Sequence, residues 1–248
     1  TADFDGVANV DIAVSDIALG MLTRFAGVEQ EVTGTVSLTA HVGGQTQHPE
    51  ADLKLTAKNG GTNGATFDDL TGEAQLRGSV IRLNQLTVTK YIDGIAYAAS
   101  AHGTLPLRAL TADRDETLDA YDQIDLTIAL DNADLSLIPV FSNQVEWALG
   151  RTEGSLKLHG TLAAPRLTGS LRVTGGAVKL RYFEHPLTDM QVRIDALGDA
   201  LSVRECTGKM GAGTYLLTGR VEMAGMEPQS YDFTFVMNDL DLKTSFYE

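Results

Sequence analysis

Set against itself at an offset of 116, this chain of 248 residues repeats. "IAVSDIALGMLTRF" (12–25) falls on "IALDNADLSLIPVF" (128–141), with coincidences at Ile12/Ile128, Ala13/Ala129, Leu19/Leu135 and Phe25/Phe141. Pro49 falls on Pro165, and "ADLKLTAKNGG" (51–61) on "LTGSLRVTGGA" (167–177). At an offset of 120, "GTVSLTAHV" (34–42) falls on "GSLKLHGTL" (154–162), and "DLTGEAQLRGSVIRL" (69–83) on "DMQVRIDALGDALSV" (189–203). Gly103 falls on Gly219, and a third copy begins at "FVMNDLDL", where Asp239 and Leu242 echo Asp16 and Leu19. Ordinary solenoid units run about 20–50 residues. A unit more than twice that length must hold many strands.

Inside each unit the apolar residues alternate with polar ones at period two, the signature of half-buried strands. Leu156 and Leu158 oppose Lys157 and His159; Leu171 and Val173 oppose Arg172 and Thr174; Val178 and Leu180 oppose Lys179 and Arg181. Met190, Val192 and Ile194 oppose Gln191, Arg193 and Asp195; Tyr215, Leu217 and Val221 oppose Thr214, Thr218, Arg220 and Glu222. Such a sheet has one dry and one wet face, as antiparallel meanders do. Two stretches break the period. "SDIALGMLTRFAG" and "SLIPVFSNQVEWALG" show helical spacing, with Ser15, Asp16 or Ser136 as caps and Pro139 in a first turn. Short helices are therefore expected near 16–26 and 136–148, against the dry face or plugging its end. "LTADRDETLDAYDQID" (110–125) is acidic and glycine-free, and reads as a solvated connector. The expected organisation is a first repeat over 1–119, a second over 120–223 and the start of a third over 224–248. The chain opens and stops mid-pattern, as a piece excised from a longer protein would.

Composition narrows the function. Nineteen basic against thirty-three acidic residues leave a net charge of −14, which disfavours nucleic acid and anionic headgroups; the strands also lack the basic-plus-aromatic pattern of nucleic-acid binders. Cys206 is the one cysteine, so no intramolecular disulfide forms. No run of about 18 apolar residues marks a spanning helix, and no signal peptide is visible. The five histidines (His41, His48, His102, His159, His185) form no metal-binding pair, and no G-x-S-x-G elbow is present. "GGTNG" (60–64) and "GKMGAG" (208–213) are followed by strands rather than helices, so they read as turns and not phosphate loops. No catalysis, metal or cofactor is expected.

Together, "GSLKLHGTLAAPRLTGSLRVTGGAVKL", "HPLTDMQVRIDALGDALSV" and "GTYLLTGRVEM" resemble a repeat of the AsmA/TamB superfamily. The stretch 124–223 matches well. The first unit is looser, with "GGQT" (43–46) inserted before Pro49 and Leu53 where the second has Gly169. The resemblance implies an all-β fold, a long antiparallel sheet curled into an open apolar groove (a β-taco). It implies a periplasmic protein of diderm bacteria, anchored in the inner membrane by an N-terminal helix outside this chain. The implied role is a bridge between inner and outer membranes that carries phospholipid for outer-membrane biogenesis. A related implied role is a translocation and assembly module that works with an outer-membrane barrel of the TamA type on barrel proteins or autotransporters. An apolar face that stays open needs an occupant, and acyl chains suit a lining of Leu, Val, Ile, Ala and Gly. By strand parity that lining is Leu156, Leu158, Leu171, Val173, Leu180, Val192, Ile194, Val203, Leu217 and Val221. In the first unit it is Val36, Leu38, Leu55, Leu76 and Leu83. The same alternation also suits a closed β-sandwich acting as a scaffold or adhesin module.

Overall fold

A computed structural model describes residues 7–21, 32–45, 48–62, 65–111, 122–136 and 144–239. They form thirteen strands: β1 (Val7–Ala18), β2 (Val32–Gln45), β3 (His48–Thr62), β4 (Ala65–Arg77), β5 (Val80–Ile92), β6 (Ile95–Pro106), β7 (Gln123–Asp134), β8 (Val145–Thr161), β9 (Pro165–Leu180), β10 (Leu187–Gly198), β11 (Ala200–Met210), β12 (Gly213–Ala224) and β13 (Glu227–Asn238). A single helical turn, α1 (Arg108–Thr111), follows β6. All thirteen strands lie in one antiparallel sheet in sequence order, with β1 and β13 at its edges. Two-residue turns close several hairpins. At Asp93–Gly94 both residues have positive φ (51° and 78°), the backbone that matches the twist of the flanking strands.

Because directly paired residues share a face, the register shows how complete the alternation is. One row runs Ile12, Ala40, Leu53, Ala74, Leu83, Gly103, Leu126, Leu158, Leu167, Gly198, strand by strand through β1–β10. The adjacent row on the other face runs Asp11, His41, Asp52, Gln75, Arg82, Thr104, Asp125, His159, Arg166. The first holds no polar side chain and the second no apolar one. The wet face is laced with polar pairs: a His41–Asp11 hydrogen bond at 2.7 Å and ion pairs of Lys54–Glu73 at 3.0 Å, Arg77–Asp52 at 2.8 Å and Lys157–Asp125 at 3.1 Å. Exposed as they are, each contributes at most about 1 kcal/mol.

β-Bulges punctuate the strands. The β1–β2 ladder shifts between Val14 and Ile17, and the β7–β8 ladder between Leu130 and Ala133, 116 residues on. Asp16, Asn132 and Asp239 each take positive φ, at 52°, 58° and 53°. Asn84 and Arg204 are the extra residues of two further bulges, 120 residues apart. One sequence match is corrected. Val14 faces Leu38 and Leu130 faces Gly154, so Leu38 corresponds to Gly154 and Val42 to Leu158. The true offset there is 116, not 120. A slip of four residues preserves the period-two pattern, so alternation alone does not reveal it.

No second sheet faces this one among the described residues, which removes the closed sandwich. The sheet instead curls on its dry face. Val36 and Val173 are each 3% exposed, which a flat single layer does not achieve. The turn after β12 also approaches the start of β9. A Cβ built on Gly225 would lie 3.3 Å from Pro165 Cδ, although three strand spacings of a flat sheet span about 14 Å.

The helical expectations fare differently from the strands. β1 continues through Asp16 to Ala18, and only residues 19–21 are helical before the described segment stops. β8 already begins at Val145, so the second stretch is extended where a helix was expected to run to 148. The Asp16 bulge supplies the break in alternation that mimics helical spacing. Residues 22–26 and 137–143 lie outside the described segments, as does 112–121 of the acidic connector, which starts in α1 and ends in β7. Leu135 and Ser136 do turn onto the dry face: Leu135 is 8% exposed and clusters with Ala148, Val173, Val178, Met190 and Tyr215.

Candidate functional site

The longest feature of the dry face is a row with one residue from each strand. It runs Val14, Leu38, Leu55, Gly72, Leu86, Ala101, Ile128, Leu156, Gly169, Ala196, Leu201, Val221, Tyr231. At roughly 4.8 Å per strand its twelve steps trace about 58 Å. No member is charged, and glycine or alanine fills four of the thirteen positions, which keeps the floor low between the leucines. Most members are half-buried, shielded by the curl yet not sealed by a second layer.

The register assigns every sequence-derived lining residue to this face. Leu38, Leu55, Leu156 and Val221 belong to the thirteen-residue row, and Leu83 and Leu158 to the parallel row that starts at Ile12. Leu76 follows Ala51. Val36 pairs with Ala57 and so with Leu70. In the second half, Leu171, Ile194 and Val203 form one cross-strand run, and Val173, Val192, Cys206 and Leu217 form the next. Leu180 pairs with Val145 beside the buried cluster. All fifteen are buried or half-buried. Gln191, Arg193 and Arg220, on the opposite parity, are exposed.

Parity reasoning omitted residues that carry the same signal. On β13, Tyr231, Phe233, Phe235 and Met237 alternate cleanly and continue the dry face to the edge, where they stand 44–71% exposed. At the other edge Val10 and Ile12 are exposed as well. The apolar face is thus half-buried through most of the sheet and most exposed at its two edge strands. Tyr215 was read as a dry-face residue but left out of the lining; it lies 6% exposed within the buried cluster, its ring tilted against Phe235 with centroids 6.1 Å apart. Burial pushes both its phenol and the neighbouring Cys206 thiol up from their usual values, so both are neutral at ordinary pH.

Candidate chemistry elsewhere is sparse. His41 bonds Asp11 on the wet face, His102 is exposed and His159 half-buried. Among the described residues no group of three or more His, Cys, Asp and Glu side chains comes together as a metal site, and no helix is long and apolar enough to cross a membrane. "GKMGAG" closes the β11–β12 hairpin as a turn.

The family model described as the TamB N-terminal domain matches residues 2–173, a span that takes in the earlier stretch where the sequence resemblance is looser. No curated protein and no solved structure matches the chain. A single long antiparallel sheet with an uninterrupted apolar face and a family match over more than half its length make this chain a member of the TamB family.

Proposed function

We propose that the dry face is a conduit for phospholipid acyl chains, within a periplasmic, inner-membrane-anchored protein that bridges to the outer membrane for its biogenesis. The observation that supports this reading best is the uncharged row from Val14 to Tyr231, one residue per strand across all thirteen. Aliphatic tails need continuous apolar contact and no fixed polar anchor, and each CH₂ withdrawn from water contributes about 0.8 kcal/mol. The protein's part in this is passive: it shields and guides, and no bond is made or broken. Replacing Val192 or Leu217 by Asp sets a charge among half-buried apolar neighbours, at a cost of several kcal/mol. Transport is expected to stop in either variant. Arg193→Asp, on the solvated face, should transport normally. The direct check is photo-crosslinking to lipid in cells from each face. Crosslinks from Val192 and Leu217 but not from Gln191, Arg193 or Arg220 support the conduit; equal labelling of the two faces defeats it.

A second reading draws on the edge strands. β13 presents an unpaired backbone edge among the described residues together with exposed aromatic side chains, the features by which an extended segment joins a sheet. That suits assistance to barrel-protein or autotransporter assembly alongside a TamA-type partner engaged through other regions.

A further inference from the structure

Two polar side-chain atoms inside the dry face are poorly satisfied. Tyr215 Oη and Ser136 Oγ are both buried, in residues only 6% exposed; Ser136 Oγ has no hydrogen-bond partner, and the phenol has no oxygen or nitrogen partner, only the soft Cys206 sulfur. They flank one cluster, since Ser136 follows Leu135 and Leu135 packs with Tyr215, Met190 and Val173. The phenol reaches across β11 towards β10: it sits over Gly208, where a Cβ would lie 2.6 Å from Oη. The Cys206 thiol beside it is a weak partner. A buried hydroxyl held by a thiol alone is costly, and phenylalanine would fill the same space without that cost. Poorly satisfied groups of this kind call for a missing ligand or water.

We propose that the Tyr215 hydroxyl, seconded by Ser136, donates a hydrogen bond to the ester carbonyl of a diacyl phospholipid, making a polar station partway along the apolar groove. The proposal rests on the conduit reading and adds a chemical requirement to it: the cargo carries an acceptor at the junction of its tails. Met190 packs in the same cluster, and its unbranched side chain is suited to move aside and admit the ester. The absent side chain of Gly208 is what lets the phenol lie where it does. Hydrocarbon tails glide past such a station, whereas an ester pauses there, so the groove would hold lipids in register as they pass.

The test compares two lipids that differ only in the acceptor. The full chain is incubated with vesicles of dioleoyl phosphatidylcholine or of its di-O-alkyl ether analogue, separated from them, and the retained lipid measured over a concentration series. The wild type should hold the ester lipid about 2- to 10-fold more tightly than the ether lipid, the span of one net hydrogen bond. Tyr215→Phe should lower that preference, and Tyr215→Phe with Ser136→Ala should abolish it. Lipid-free Tyr215→Phe should melt no lower than the wild type. Equal affinity of the wild type for both lipids, or a preference that survives the double substitution, overturns the station while leaving the conduit standing. A lower melting temperature for lipid-free Tyr215→Phe overturns it too, because the hydroxyl would then be satisfied within the protein or by water. Retention of neither lipid overturns the conduit reading itself, and the station with it.

Discussion

Gly34 and Gly150 are 116 residues apart and do the same work. Each sits at a bulge with positive φ, at 106° and 138°, and each brings its backbone against another glycine. A Cβ on Gly34 would lie 2.7 Å from the Cα of Gly60; one on Gly150 would lie 2.6 Å from the Cα of Gly176. Neither neighbour is a side chain that can swing away. Asp134 reinforces the second site by accepting hydrogen bonds from the Ser136 and Gly150 amides at 2.8 and 2.9 Å. Gly78 is the natural control, since its φ of 60° is also positive but nothing lies within 4 Å of the missing Cβ. Gly78→Ala should therefore cost about 1 kcal/mol for the backbone alone, and Gly150→Ala about 2–4 kcal/mol because the β8–β9 ladder must also move. Thermal melts of the two variants decide this: an equal fall in both would show that the close approach carries no energy. The paired glycines at 60–61 and 175–176 stand in the sequence, the first within a stretch that reads as a turn although it lies in β3. That they serve as landing sites for glycines 26 residues upstream was not legible there, because contact across a bulge leaves no local pattern.

At the level of elements, every ladder has between eight and fourteen paired positions except at one junction. The β6–β7 ladder has five paired positions, from Ser100↔Ala129 to Thr104↔Asp125, whereas β2–β3 has thirteen and β5–β6 eleven. This is also where α1 and the acidic connector enter between strands. Fewer ladder bonds lower the free energy of local opening. Amides of Ser100–Thr104 and Asp125–Ala129 should exchange with deuterium faster than those of the β2–β3 ladder; equal protection would mean that the junction is as firm as the hairpins around it. The apolar row crosses this junction unbroken through Ala101 and Ile128. The dry-face row is thus continuous across the shortest ladder of the sheet.

Over the whole molecule, a long sheet must manage two edges. β13 is exposed along its whole length, and its dry-face residues Tyr231 and Met237 are 71% and 44% exposed. The net charge of −14 opposes self-association, but no charged side chain stands in the dry-face row that ends at Tyr231, so the apolar edge is bare. Lysine at these two positions should reduce concentration-dependent self-association in sedimentation velocity, with little effect on the rest of the sheet. If the Tyr231→Lys/Met237→Lys chain sediments as the wild type does at every concentration, edge contact is not what brings copies together.

The sequence by itself determined the all-β class, the two faces and their membership, because side-chain direction in a strand alternates with a period of two and a buried face tolerates no slip by one. Parity alone placed all fifteen of the residues named from the sequence on the dry face, buried or half-buried. Parity does not distinguish a slip of four from the true register, so the equivalence of Leu38 with Gly154 emerged only from strand pairing. Nor does it separate a bulge from the start of a helix, which is why β1 runs through Asp16 and β8 begins at Val145. Whether the dry face meets a second sheet or curls on itself depends on twist and on bulges summed over thirteen strands. The poorly satisfied hydroxyls of Tyr215 and Ser136 depend on which side chains that curl brings over them. Both are properties of long-range packing, which no local stretch of the chain encodes.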